Sequence, residues 1–161
     1  MRLLATAPDW LAALLLLLLL MAAIQDGWRL RISDWISGLV VIGAFAALVL
    51  DGPVSGLWQN FLLFAAVLAV GTFMFGRGWM GGGDIKLLAA SSLWFNLSDG
   101  WKLICAIAIA GGIETLVIMI VRRLPWSDAA RRKALLLTRR GPIPYAIAIA
   151  LGVALIGWWL R

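Results

Sequence analysis

Positions 11–20 hold eight leucines and no charge, and apolar runs of this kind recur along the chain. Such a run leaves few folding options. About 20 apolar residues match the ~30 Å hydrocarbon thickness of a bilayer, and in lipid every backbone N–H and C=O must be satisfied within the spanning structure. A helix does this residue by residue. The apolar stretches fall at 10–24, 36–50, 57–75, 85–97, 103–121 and 143–160. They predict an all-α integral membrane protein with about six transmembrane helices, the fourth of them short. With 63% hydrophobic residues among 161, an ordinary soluble domain is excluded, since such domains are about 45–50% apolar. No internal repeat, low-complexity linker or second soluble unit is visible, so residues 1–161 read as one transmembrane domain.

The formal charge of +6 does not call for a nucleic-acid partner, because in a membrane chain the distribution of basic residues matters more than their sum. The intervening segments are 25–35, 51–56, 76–84, 98–102 and 122–142. Eleven of the 14 basic residues fall on one side: Arg29, Arg31, Arg77, Lys86, Arg122, Arg123, Arg131, Arg132, Lys133, Arg139 and Arg140. Arg2, Lys102 and Arg161 fall on the other. The bias places the first, third and fifth loops in the cytoplasm and both termini outside it. Nine tryptophans, Trp94 among them, lie near span ends as aromatic-belt residues do, and Trp126 lies in the long basic loop. Within that loop, Ser127 and Asp128 are placed to cap a surface helix over 129–138 resting on lipid headgroups. Cleavage of the first apolar run as a signal peptide is not expected, since Arg2 alone precedes it and Asp9 follows.

The chain has no histidine, so Ser-His and Cys-His nucleophilic systems and the HExxH zinc site are excluded. The lone Cys105 cannot form an intrachain disulfide or a four-thiolate zinc site, and reads as buried filling of an apolar helix. No cofactor or metal is expected. Any catalysis falls to carboxylates, Lys, Tyr or hydroxyls.

Carboxylates at membrane depth are costly, at about 2.5–3.5 kcal/mol for an ionised Asp at a helix centre. Three of the eight acidic residues are placed where this matters. Asp26 follows the first apolar run, Asp84 opens the fourth directly after Gly81, Gly82 and Gly83, and Glu114 lies inside the fifth. Asp26 and Asp84 share the cytoplasmic side and can converge from separate helices. Two converging aspartates are the arrangement of aspartic proteases, in which one carboxyl holds a proton while the other acts as base on a water. The three glycines are expected to let the backbone unwind beside the carboxylate and admit a substrate strand. Close helix packing through small residues is the other reading of them. The literal G-x-G-x-x-G at 76–81 follows a membrane span rather than a β-strand and is accidental.

The residues Gly81-Gly82-Gly83-Asp84-Ile85-Lys86-Leu87 resemble the GxGD-x-K-L signature of the type IV prepilin peptidases, a group of intramembrane aspartyl proteases. Asp26, followed six residues later by Ile32-Ser33-Asp34, is similar to that family's first motif, an Asp followed by Ile-Pro-Asn. Pro142-Ile143-Pro144-Tyr145-Ala146 is similar to the Pro-Tyr-Gly that opens its last helix. The resemblance implies a single transmembrane peptidase domain with Asp26 and Asp84 as the catalytic pair and Gly81, Gly82, Gly83 and Lys86 as supporting motif residues. It implies cleavage of the short basic leader from a prepilin-like membrane precursor, at the cytoplasmic face of a bacterial inner membrane. The bilayer and this precursor are the partners it names. Small size and a single cysteine resemble the peptidase-only branch serving tight-adherence (Tad/Flp) pili.

Ser33, Asp34 and Ala146 depart from the family pattern, standing for Pro, Asn and Gly. Asp34 is a third candidate carboxylate, but it reads more simply as an N-cap of the second span. Lys86 lies two residues from Asp84, so the two do not share a helix face, and it reads equally well as a snorkelling anchor. Glu114 lies roughly 12 Å along its helix from Arg122, in the cytoplasmic half. It reads either as a protonated residue bonded to a neighbouring helix, with Gly111 and Gly112 allowing close approach, or as a wall of the catalytic cavity. Asp34 and Tyr145 are further candidate lining residues. The competing class is a non-enzymatic proton-coupled carrier or assembly subunit using Asp84 and Glu114. Carriers often repeat their broken helices in two related halves, and only one Gly-rich break is visible here.

Overall fold

The computed structural model describes residues 3–52, 56–126, 141 and 143–160, and among these the regular structure is entirely helical. The helices are α1 (Leu3–Thr6), α2 (Asp9–Arg29), α3 (Asp34–Asp51), α4 (Leu57–Gly76), α5 (Gly82–Ser92), α6 (Leu97–Arg123) and α7 (Tyr145–Leu160). Four of them, α2, α3, α4 and α6, are long and apolar enough to cross a membrane. The apolar α7 has 16 residues and α5 has 11. The surface helix expected over 129–138 lies outside the described residues.

Helix α5 is short and lies inside the bundle. It touches α3, α4 and α7, and six of its residues, from Ile85 to Ser92, are buried. Two of these are serines, which satisfy their hydroxyls by donating to the Leu87 and Ala89 carbonyls of the preceding turn. On the outside, α7 packs between α2 and α6, and α3 lies against α2. The buried stripe of α2 runs Leu11, Leu15, Leu19, Ala22, Asp26 in steps of about four, the spacing of one helix face. Asp26 therefore points inward as a consequence of the same periodicity that packs the leucines.

Three expectations change at the end of the bundle remote from Asp26. The fourth apolar stretch does not stay helical to Leu97: α5 stops at Ser92, and Leu93, Trp94 and Phe95 form a buried turn. Trp94 is not a belt residue. It is 1% exposed, its indole N–H donates to the Val40 carbonyl at 3.2 Å, and Gly43 makes room for its ring, where a Cβ would come within 3.0 Å. The expected loop at 98–102 is instead the first turn of α6, started by Asn96, whose side chain accepts the Asp99 N–H at 2.9 Å. Helix α1 closes this end: Leu3 and Leu4 are buried, the Leu4 N–H donates to the Trp94 carbonyl, and the Thr6 hydroxyl donates to Asp51.

Cys105 is exposed rather than buried. The inner stripe of α6 passes through Leu103, Ile107, Gly111 and Ile118, and a residue two positions from Leu103 falls on the opposite face.

Candidate active site

Helix α2 ends in a turn that few sequences would build. Leu30 adopts a left-handed conformation at φ 51°, and its N–H donates to the Asp26 carbonyl at 2.8 Å. Strained backbone of this kind, costing about 1–3 kcal/mol, persists where surrounding contacts hold it. Here Gln25 supplies them: its Oε1 accepts the Ser33 N–H at 2.9 Å, and its Nε2 donates to the Ser33 hydroxyl at 2.8 Å. Ser33 is thus more than a tolerated departure, because a proline has neither the N–H nor the hydroxyl that this clasp uses. The turn brings Ile32 against the start of α5, where a Cβ on Gly83 would lie 3.1 Å from the Ile32 Cβ and 3.4 Å from its carbonyl oxygen. The two aspartate-bearing motifs meet at this contact.

Gly81 is the N-cap of α5, so Asp84 is its third helical residue. A side chain at that position reaches back over the N-cap, and Asp84 does so toward the Gly81 backbone. A Cβ at Gly81 would stand 2.7 Å from Asp84 Oδ2. The glycines therefore do not unwind the chain as expected. Gly82 and Gly83 are helical, Gly78 (φ 70°) is the residue in a left-handed turn, and the role of Gly81 is to leave space for the Asp84 carboxylate.

Asp26 is 4% exposed. Its Oδ2 accepts the Ala146 N–H at 3.1 Å, in the first turn of α7, where helix N–H groups lack partners of their own and the dipole favours negative charge. Asp84 lies within electrostatic reach of Asp26, and its Oδ1 is shielded with no hydrogen-bond partner. Glu114 joins them from α6, in electrostatic reach of both aspartates. Its helix is held against α7 by the Tyr145 ring, 3.1 Å from where a Cβ of Gly111 would be, whereas Gly112 faces open space and permits no close approach. Among the described residues none of these three carboxyls is in an ion pair, and no group of His, Cys, Asp and Glu is arranged to hold a metal ion.

The other candidates stand apart. Asp34 is the first residue of α3, not its N-cap, which is Ser33. Asp34 binds Lys86 at 2.8 Å in an ion pair whose side chains are 72% and 53% exposed. The pair ties the start of α3 to the start of α5 and leaves Lys86 turned away from Asp84. Asp34 also lines an open polar cleft with Gln25, Arg29, Arg31, Ile32 and Ser33. Two features carried no recognisable signal in the sequence. The Ala146 N–H is a backbone group, and the Gln25–Ser33 clasp joins residue types found in any loop. A third polar feature lies away from the aspartates: buried Asp99 pairs with Lys102 at 3.0 Å, and Lys102 sits over the Trp159 ring. Its i, i+3 spacing is the one sequence cue to it.

Two helix-borne aspartates thus meet at one end of a bundle that is helical throughout its described regular structure and has four helices long and apolar enough to cross a membrane. A sequence profile of the type IV leader peptidase family matches residues 13–127, and the chain belongs to that family. The match includes both aspartate motifs and ends before Pro144-Tyr145-Ala146. No curated protein and no solved structure matches the chain.

Proposed function

We propose that the protein is an intramembrane aspartyl endopeptidase that removes the short basic leader from prepilin-like precursors, with Asp26 and Asp84 as the catalytic pair. The observation that carries this reading is the meeting of the two motifs through Gly83 and Ile32, which sets both carboxyls at the same end of the bundle. One carboxylate takes a proton from water, and the other, as the acid, protonates the oxygen of the scissile carbonyl as the water oxygen adds to its carbon. Collapse of the tetrahedral intermediate then breaks the C–N bond and delivers a proton to the leaving amine. The Ala146 N–H fixes the orientation of the Asp26 carboxyl, and either aspartate can take the role of base while the other holds the proton.

Six spans with both termini outside, in a bacterial inner membrane, fit this chemistry: the 11 basic residues then share the cytoplasmic face with the aspartates, where a basic leader would be presented. The small single domain fits the branch serving Tad/Flp pili. The test is cleavage of a purified leader-bearing membrane precursor by the purified protein. Asp26→Asn and Asp84→Asn should each reduce kcat by about a thousandfold or more, and the double variant should be no worse, because residues acting as a unit are non-additive. Normal cleavage by Asp26→Asn would reject the pairing.

A further inference from the structure

The first turn of α7 has free N–H groups, and two carboxyls approach it. Asp26 takes the Ala146 N–H. Glu114, from α6, faces the Ala148 backbone two residues along the same turn. Both Glu114 oxygens are shielded from solvent, and neither reaches hydrogen-bond geometry with any described residue. Among the described residues the charged groups facing Glu114 are Asp26 from α2 and Asp84 from α5, and α7 presents the Ala148 backbone to it. A carboxyl so placed is a liability to the fold. Leucine, of similar volume and without polar atoms, would relieve it.

We propose that Glu114 is a positioning residue of the aspartate pair. Its carboxyl lies against the α7 turn, which packs on the same stretch of α6 through Tyr145 and Gly111, and so sets where the Ala146 N–H, and with it the Asp26 carboxylate, stands relative to Asp84. This inference rests on the peptidase reading above. It predicts that stability and activity separate at this position, which a residue that only fills space would not do.

The experiment compares the full chain with Glu114→Leu and Glu114→Gln, using a membrane peptide with a basic leader and an apolar helix as substrate. Glu114→Leu should lose about tenfold or more in kcat with KM little changed, while its thermal midpoint in detergent is equal to or above that of the parent. Glu114→Gln keeps the shape and a polar oxygen facing α7 and should recover to within about threefold of the parent. Its pH–rate profile should nevertheless be displaced, because an ionisable group beside both aspartates has gone. Parent-like kcat in Glu114→Leu, or equal loss in both variants, would overturn the proposal. If Glu114→Leu does not fold, an unmoved pH profile in Glu114→Gln overturns it. A parent chain that leaves the substrate uncut brings down the peptidase reading itself, an outcome distinct from an active parent indifferent to residue 114.

Discussion

At the scale of single residues, the candidate site depends on atoms that are not there. Gly81 has no Cβ because the Asp84 carboxylate fills that space, at 2.7 Å. Gly81→Ala should push Asp84 off its place over the N-cap and cut cleavage by about tenfold or more, with the helical content by circular dichroism unchanged. Asp34→Asn provides the contrast. It breaks the ion pair with Lys86, but both side chains are largely exposed, and such pairs contribute about 0–1 kcal/mol. Cleavage should stay within about twofold of the parent, and a dead Asp34→Asn variant would move the first aspartate's role from Asp26 to Asp34. Asp26, Asp84 and Glu114 were legible because ionisable residues in apolar runs are few and costly. The inward aim of Asp26 was implicit in its four-residue step from Ala22. Its partner on α7 was not legible, because a backbone N–H is the same in every sequence.

At the scale of helices, α6 and α7 lie together through a glycine. A Cβ on Gly152 would stand 2.4 Å from Ile107 Cγ1 and 3.0 Å from the Ile107 backbone nitrogen. The side-chain atom can rotate away; the backbone nitrogen cannot unless the helices separate. Gly152→Ala should destabilise the protein by about 1–3 kcal/mol, seen as a lower thermal midpoint in detergent, and should slow cleavage because α7 also carries the Ala146 N–H. A midpoint at or above that of the parent would show that α6 and α7 are not held by this contact. Helix boundaries were less legible than helix existence. Hydropathy marks 85–97 as one apolar stretch, yet the chain turns at Leu93, where Trp94 is held in the core by contacts to α3 and α1 and Phe95 is buried beside it. Periodicity along one helix contains no information about those contacts.

At the scale of the whole molecule, the described basic residues Arg29, Arg31, Arg77, Lys86, Arg122 and Arg123 lie at or beyond the helix ends nearest the aspartates, and Lys102 lies toward the opposite end of α6. A reporter that works only outside the cytoplasm, fused after Arg161, should therefore be active, and one that works only inside should be silent. The reverse result would require an odd number of crossings or an inverted orientation, and either contradicts six spans with both termini outside. The same arrangement explains why a chain with 63% hydrophobic residues leaves so many large side chains exposed. Nine of the ten tryptophans are exposed, and many leucines and isoleucines of α2, α3, α4 and α6 face outward, onto a surface that lipid rather than water would cover.

The sequence by itself determined the helical, membrane-embedded class, the family and the small set of carboxylates worth considering. Each of these rests on local quantities: the length and hydropathy of a run, the cost of a charge within it, and the spacing of residues within a motif. Only the tertiary structure decided that α5 is an enclosed central helix, that Gly81 is a space for a carboxylate rather than a hinge, that Asp34 belongs to Lys86, and that Asp26 and Glu114 address the same turn of α7. Apart from Gly81, whose space is taken by a carboxylate three residues along the same helix start, these depend on how far apart two segments lie when neither is near the other in the chain. That distance is set by whole faces packing together, by Gly83 on Ile32 and Gly152 on Ile107, and no single run of residues contains it.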